Sequence, residues 1–504
     1  MEPLPGRAES CWTAAATPTR YPRLARSQRT EVAVVGGGIV GLTAAYLLTA
    51  AGCAVTVLEA RRVGRQVTGR STAKITSQHR LIYSHLARSL GDERALLYAE
   101  ANHCGVELVI ALARNLALEC DLERTSAFAY ARDDARIGAL EAEARLAQGF
   151  GFAADVVRPA PLPFATAGAL RFAHQAQFNP AKYLVGLAAA VNAGGGRIFE
   201  QSRVGKVARS GGRWCVDVGD HAVESDHVVV ATALPIGGPI HFDEQTRPRC
   251  HIAMAFRADP SAMLDGMFID VDQPSHSLRM GRDRDGPLLV ALGPTFPTGH
   301  DGDVATRMRE LEAWIRARIP AGGVVWRWVN EDYDTADRIP YAGELTKKAP
   351  GMYVATGFNG WGISNGTAAA MLVADQIQGL RNPWQALYNP ERRASARFNQ
   401  GGETRSAVAR IAAIAPGSGG IVRNGEDRIA VYRMAGGTLR AFSAACTHMG
   451  CTVTWNNADS TWDCPCHGSV FADDGAVIHG PATKALKRVR VPSDEDRSAR
   501  QSKP

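Results

Sequence analysis

Two short segments near the C-terminus, Cys446-Thr-His448-Met-Gly-Cys451 and Cys464-Pro-Cys466-His467-Gly-Ser469, concentrate the soft metal-ligating side chains of this 504-residue chain. The other six of its ten cysteines (Cys11, Cys53, Cys104, Cys120, Cys215 and Cys250) are scattered singly and read as small buried hydrophobes. Cys446 with His448, and Cys464 with His467, form two ligand pairs with 15 residues between His448 and Cys464. Two thiolates and two imidazoles on two short loops could hold tetrahedral zinc. They could equally hold a [2Fe–2S] centre with two Cys on one iron and two His on the other. Zinc sites rarely need an extra cysteine in each loop. Cys451 and Cys466 fall outside the ligand spacing and can join the loops by a disulfide.

A second constellation lies near the start. EVAVV (31–35) reads as a buried strand, GGGIVG follows, IVGLTAAYLLTAAG has the apolar content of a helix, and AVTVLEA (54–60) is a second strand ending at Glu59. In this βαβ unit Gly36 permits the tight turn, Gly38 lets a pyrophosphate approach the backbone beside Ile39, and Gly41 permits close helix packing. The helix N-terminus offers amide donors to the anion. Glu59, 23 residues after Gly36, suits a ribose hydroxyl, with Ala60 and Arg61 alongside. This agreement of strand, turn, helix and acid predicts dinucleotide binding.

The elements that must carry these groups follow from pattern. We expect the first ordered element at Glu31 and helices over 86–148. From Gly168 strand-like pieces surround one helix at AKYLVGLAAAVNA, and an antiparallel sheet follows from CHIAMAF (250–256) onward. A strand, glycine turn and helix recur over 352–377, so the nucleotide domain is expected to be discontinuous. The fold expected is α/β plus α+β. A Rossmann-like dinucleotide-binding domain spans 30–85, 176–235 and 332–388; a helical cover and substrate sheet spans 86–175 and 236–331. A linker over 389–415, long enough for some independent placement, leads to a small all-β domain at 416–493.

The C-terminal pattern closely resembles the Rieske iron–sulfur motif, in the disulfide-containing subtype of quinol-oxidising respiratory complexes. The resemblance implies Cys446, His448, Cys464 and His467 as ligands, Cys451–Cys466 as the disulfide, and Gly480-Pro481-Ala482 as the loop covering the cluster. Ser469 matches a serine that donates to a bridging sulfur; the family's tyrosine two positions later is Phe471 here. A lost donor stabilises the reduced cluster less, so a potential below that of high-potential relatives is expected.

The first 385 residues resemble the D-amino-acid oxidase-like flavoenzymes, which include glycine and sarcosine oxidases. Four passages carry this: VVGGGIVGLTAAYLL with Glu59, TGRSTAKITSQH (68–79), VVVATA (228–233), and DRIPYAG followed by YVATGFNGWGISNG. The resemblance implies FAD, with Ser71, Thr72, Ala73 and Lys74 beside the flavin ring and Gly357, Gly360, Trp361, Gly362 and Ile363 toward its pyrimidine side. Ala231, Thr232 and position 205, which is Gly205 beside Val204, complete the candidate cofactor contacts. His79 is offset from the histidine that some relatives use to attach FAD, and noncovalent FAD is expected.

Only one complete dinucleotide fingerprint is visible, so substrate rather than a nicotinamide should reduce FAD. The layout implies oxidation of a C–N bond in a small amino acid or N-alkylated amine, with electrons passing from flavin to cluster and then to a small redox protein or quinone. Alternatives are oxidation of a 2-hydroxy acid or alcohol, and a non-catalytic electron-transfer or redox-sensing flavoprotein. Candidate catalytic side chains are His251 and Arg338, with Tyr333 and Tyr341 behind them; an arginine fork suits a carboxylate.

Composition narrows the remaining classes. The formal charge of +7 comes from residues 1–30 and 484–504, and the span 31–483 is neutral, which argues against nucleic-acid binding. No run approaches 18 uncharged apolar residues and the N-terminus lacks an apolar export core, so no transmembrane segment and a cytoplasmic location are expected.

Overall fold

The computed structural model describes residues 3–299, 303–394, 398 and 410–491. Most of the expected linker, and the last part of the basic C-terminal segment, lie outside the described residues.

Gln28–Val35 is the centre of an eight-stranded sheet because its valines can be buried on both faces. It runs parallel to His221–Val230 on one side and Val55–Leu58 on the other, and Arg197–Phe199 and Met352–Thr356 extend the parallel set. Val32, Val34, Val228, Val229 and Val57 are all fully buried, as a sheet covered on both faces demands. Tyr341–Glu344 closes one edge antiparallel to Met352–Thr356. The sheet is assembled from both ends of the flavin region of the chain.

The second sheet has ten strands. Its central run is antiparallel: Thr246–Ala258 pairs with Gly286–Pro297 on one side and with the long strand Ala321–Thr335 on the other. Two strands cross expected boundaries. Lys74–Ile75 pairs with Gly168–Gln177, so this flavin-side passage belongs to the second sheet, and Ala321–Thr335 runs past position 332.

Ordered structure begins well before Glu31, contrary to expectation. Arg7–Ala8 adds a parallel strand to Ala321–Thr335, and a short helix, Cys11–Ala15, buries Trp12 at 1% exposure. The Trp12 indole donates to the Ser71 carbonyl at 2.8 Å, and the Arg279 guanidinium lies 4.7 Å from its ring centroid. These contacts are all distant in sequence, which is why local pattern missed them.

One described helix, Asp92–Asn115, is long and apolar enough by length and composition to cross a membrane. Here it packs against Gly362–Ile377 and Ile82–Leu90. The C-terminal unit has a three-stranded sheet over Ser418–Ser443 and a four-stranded one over Thr454–His479. Trp462, Phe471 and Val453 are buried between the strands, with the ligand loops at one end.

Candidate functional site

A cavity of about 760 Å³ opens between the two large sheets and extends to the C-terminal unit. Gly36, Gly38, Ile39, Glu59, Ala60 and Arg61 line one end, where Glu59 accepts from the Gly37 and Arg61 amides, both at 2.8 Å. Burial raises the Glu59 carboxyl, offset by these donors. Gly41 lies beneath the turn, packed on Gly36. Ser71, Thr72, Ala73, Lys74, Ala231, Thr232, Gly360, Trp361, Gly362 and Ile363 line the middle. Lys74 is half-buried, its ammonium donating to the Phe268 carbonyl at 2.6 Å and to Ser277 Oγ at 2.5 Å. This acid, glycine turn and elongated space fit an extended dinucleotide.

Three cofactor candidates fall outside the lining: Gly41 beneath the turn, Gly205 and Gly357. Gly205 has open space around it, and its neighbour Val204 faces the cavity instead; Gly357 turns toward Thr335. His79 does line the cavity, but both ring nitrogens are engaged: Nδ1 lies 2.8 Å from Tyr98 Oη and Nε2 3.0 Å from Ser364 Oγ, while the ring stacks on Trp361. Burial holds it neutral, down to about 3.

The catalytic candidates separate. His251 and Arg338 line the cavity. His251 is buried and held neutral, down to about 3, by desolvation. Tyr333 and Tyr341 do not reach the cavity. Tyr341 is buried in the valine-rich core with the Arg392 guanidinium 3.8 Å from its ring centroid, and Tyr333 points its hydroxyl to the C-terminal unit. Strand alternation explains Tyr333: on Ala321–Thr335 the even positions Asn330, Asp332 and Asp334 face the cavity, whereas Glu331 and Tyr333 between them do not, and only at the strand's end does Thr335 join the lining. Sequence reading passed over these three, although polar residues recurring with period two in an apolar strand were the available signal. It also passed over Arg80 and Arg249. Arg249 pairs with Asp334, and Arg80 donates to Ser275 Oγ at 2.7 Å. No periodicity marks an isolated arginine.

At the far end His479, Gly480, Pro481, Ala482 and Thr483 line the same cavity. Behind this loop the Cys446 and Cys464 thiols are buried and free of disulfides, and the His448 and His467 rings lie 5.0 Å apart. Both Nδ1 atoms are buried without a hydrogen-bond partner among the described residues. Cys446 is held down to about 6, chiefly by a hydrogen bond from Cys464, whose own thiol is raised. Two sulfurs and two unpartnered imidazole nitrogens fit a [2Fe–2S] centre. Ser469 Oγ accepts from the Ala482 amide at 2.9 Å and ties the cover loop to the ligand loop. Cys451 and Cys466 are disulfide-bonded, with a sequence separation of 15. A loop of that size corresponds to about 3 kcal/mol of unfolded-state entropy. Cys451→Ala with Cys466→Ala is therefore expected to lower the stability of the C-terminal unit by about 3 kcal/mol, read from denaturant unfolding followed by cluster bleaching.

A dinucleotide cradle opening onto a substrate-facing sheet, with a two-Cys, two-His β-unit seated at its far end, defines a flavin-dependent oxidoreductase with an attached iron–sulfur module. The chain belongs to the FAD dependent oxidoreductase family, whose model matches residues 31–376, and carries a Rieske [2Fe-2S] domain over residues 404–490. FAD and a [2Fe–2S] cluster are its cofactors. It is 29% identical over 500 residues to YhfW of Bacillus subtilis (strain 168), named for a Rieske 2Fe-2S iron-sulfur protein, covering 95% of this chain and 97% of that one. Gamma-glutamylputrescine oxidoreductase of Escherichia coli (strain K12) is 23% identical over 381 residues, 73% of this chain and 88% of its own. Glycine oxidase from Geobacillus kaustophilus superposes with a TM-score of 0.60 at 18% identity, over 72% of this chain and 99% of that one.

Proposed function

We propose that the protein oxidises a C–N bond in a small amino acid or N-alkylated amine and delivers the electrons through its Rieske centre to an external small redox protein or quinone. The observation that carries this reading is the shared cavity, whose walls include the flavin-side passage, a mixed set of guanidinium and carboxylate groups, and the cluster's cover loop. When bound, FAD accepts the substrate hydride and the [2Fe–2S] centre moves one electron at a time. The names of the Escherichia coli relative and of the structural neighbour, an amine and an amino-acid enzyme, support the substrate class.

The side chains divide the remaining work. Arg80, Arg249 and Arg338 offer planar forks for a carboxylate. Asp332 is the residue we assign to the amine's proton: it is buried, lines the cavity, and its Oδ2 already accepts from the Gly360 amide, leaving Oδ1 for the ammonium. Burial raises its carboxyl to about 6. Above that pH it is ionised and can take the proton; below it, it is already protonated. kcat/KM is therefore expected to rise through an acid limb near 6. Asp332→Asn should remove that limb and lower kcat/KM by about 100-fold, the lower end for a general base.

Anaerobic incubation with amines, amino acids and 2-hydroxy acids, followed by flavin bleaching, tests the substrate class. Bleaching by hydroxy acids alone would reassign it, and bleaching by none would favour an electron-transfer protein reduced by a partner. We place the protein in the cytoplasm, in keeping with the six cysteines outside the ligand loops, Cys11, Cys53, Cys104, Cys120, Cys215 and Cys250, which form no disulfide among the described residues.

A further inference from the structure

The strand Ala321–Thr335 touches both cofactor sites, one on each face. Asn330, Asp332 and Asp334 line the flavin cavity. On the opposite face, the Tyr333 hydroxyl donates to the His467 carbonyl at 3.0 Å and lies 3.2 Å from Glu331 Oε1. Glu331 Oε1 is in turn 3.4 Å from His479 Nε2, on the strand that leads into the cover loop. Asp243 Oδ2 approaches His467 Nε2 at 3.8 Å from another element. Gly468 fits here only because it lacks a side chain: with φ +70°, a Cβ would stand 2.4 Å from Glu331 Oε1 and 2.7 Å from the Tyr333 hydroxyl.

Other bonds across this boundary land away from the ligand loops. Arg327 donates to the Ala458 carbonyl at 2.8 Å and Arg203 to the Val477 carbonyl at 3.0 Å. Among the described residues, Tyr333 makes the hydrogen bond from the flavin-binding body to the backbone of a ligand loop.

We infer that Tyr333 is a positioning residue that locks the His467 loop against the back of the strand lining the flavin cavity, so that the Rieske unit works from one fixed seat rather than by domain movement. The traffic it serves is a single electron leaving reduced flavin and taken up by the oxidised cluster, with no bond made or broken in the strand. The inference rests on the two cofactors and not on the substrate class.

The test uses the holoenzyme and Tyr333→Phe, which deletes only the hydroxyl. One readout is hydrogen exchange over residues 464–470; the other is the rate of cluster reduction after flash photoreduction of the flavin with EDTA as donor, measured with and without added sucrose. In the parent protein the rate should ignore viscosity. In Tyr333→Phe, exchange should speed and electron arrival slow by about fivefold, the factor that one hydrogen bond represents, and arrival should become viscosity-dependent. Gly468→Ala should reproduce this from the other side of the contact, while Arg327→Met, which removes the boundary bond to the Ala458 carbonyl, should leave both readouts unchanged. A viscosity-dependent parent, an unchanged Tyr333→Phe, or an Arg327→Met that matches it would overturn the inference. A cluster that never accepts electrons from photoreduced flavin would instead sink the proposed electron route, with the exchange data still judging the lock.

Discussion

Cys464→Ser is expected to yield a protein that keeps its flavin but has lost its iron–sulfur centre. The thiol is buried at 1% exposure, with its sulfur within 4.8 Å of the disulfide sulfurs and the Cys446 thiol hydrogen-bonded to it. Serine presents a harder, far less acidic donor to iron that favours thiolate. Changes in groups that merely orient metal ligands cost about 10- to 100-fold in affinity, so loss of a ligand should exceed about 100-fold. Iron and sulfide per flavin, together with the reduced-cluster paramagnetic signal, check this, and delivery of electrons to an external acceptor should fall with them. Cys250→Ser is the matched control. That thiol is equally buried but sits beside Thr298 in the second sheet, so iron content should not change. Full iron retention in Cys464→Ser would remove it from the ligand set.

Gly41→Ala should have the converse phenotype, a loaded cluster with little FAD. A Cβ at position 41 would stand 2.0 Å from the Gly36 carbonyl oxygen, and that oxygen is backbone, with no flexible end to move aside. The Ile39–Ala50 helix and the Gly36 turn would have to separate, taking the anion-facing amides out of register. Ordinary overpacking costs about 1–3 kcal/mol, and a clash with fixed backbone belongs at the upper end, about 100-fold in FAD affinity. The flavin-to-protein absorbance ratio after gel filtration, with iron per chain alongside, measures it. A protein that retains stoichiometric flavin would show that the turn tolerates separation.

Short-range features carried most of the reading made from residues alone. The glycine turn and Glu59 are local in sequence and meet at one end of the cavity. The two Cys-His pairs are similarly compact, and their residues converge with Cys451 and Cys466 bonded. What failed was long-range. Tyr333 and Tyr341 were expected behind His251 and Arg338 at the pocket, but strand alternation sends Tyr333 to the opposite face and the valine-rich core takes Tyr341. The order before Glu31 was invisible because its stabilising partners are Ser71, Arg279 and Trp326. With Arg7 paired into the second sheet, the N-terminal share of the +7 charge is not simply a free basic tail.

By itself the sequence determined the two cofactors and the family. Those depend on spacings of a few residues, and the chemistry of a phosphate cradle or of a Cys-His ligand loop tolerates little variation in them. Only the tertiary structure decided that Arg80, Arg249 and Asp332 share a wall with His251, and that the Rieske unit sits against the back of that wall. Such neighbours come from packing between strands far apart in the chain, whose side-chain direction reverses with every residue. No local pattern records which face will meet which partner.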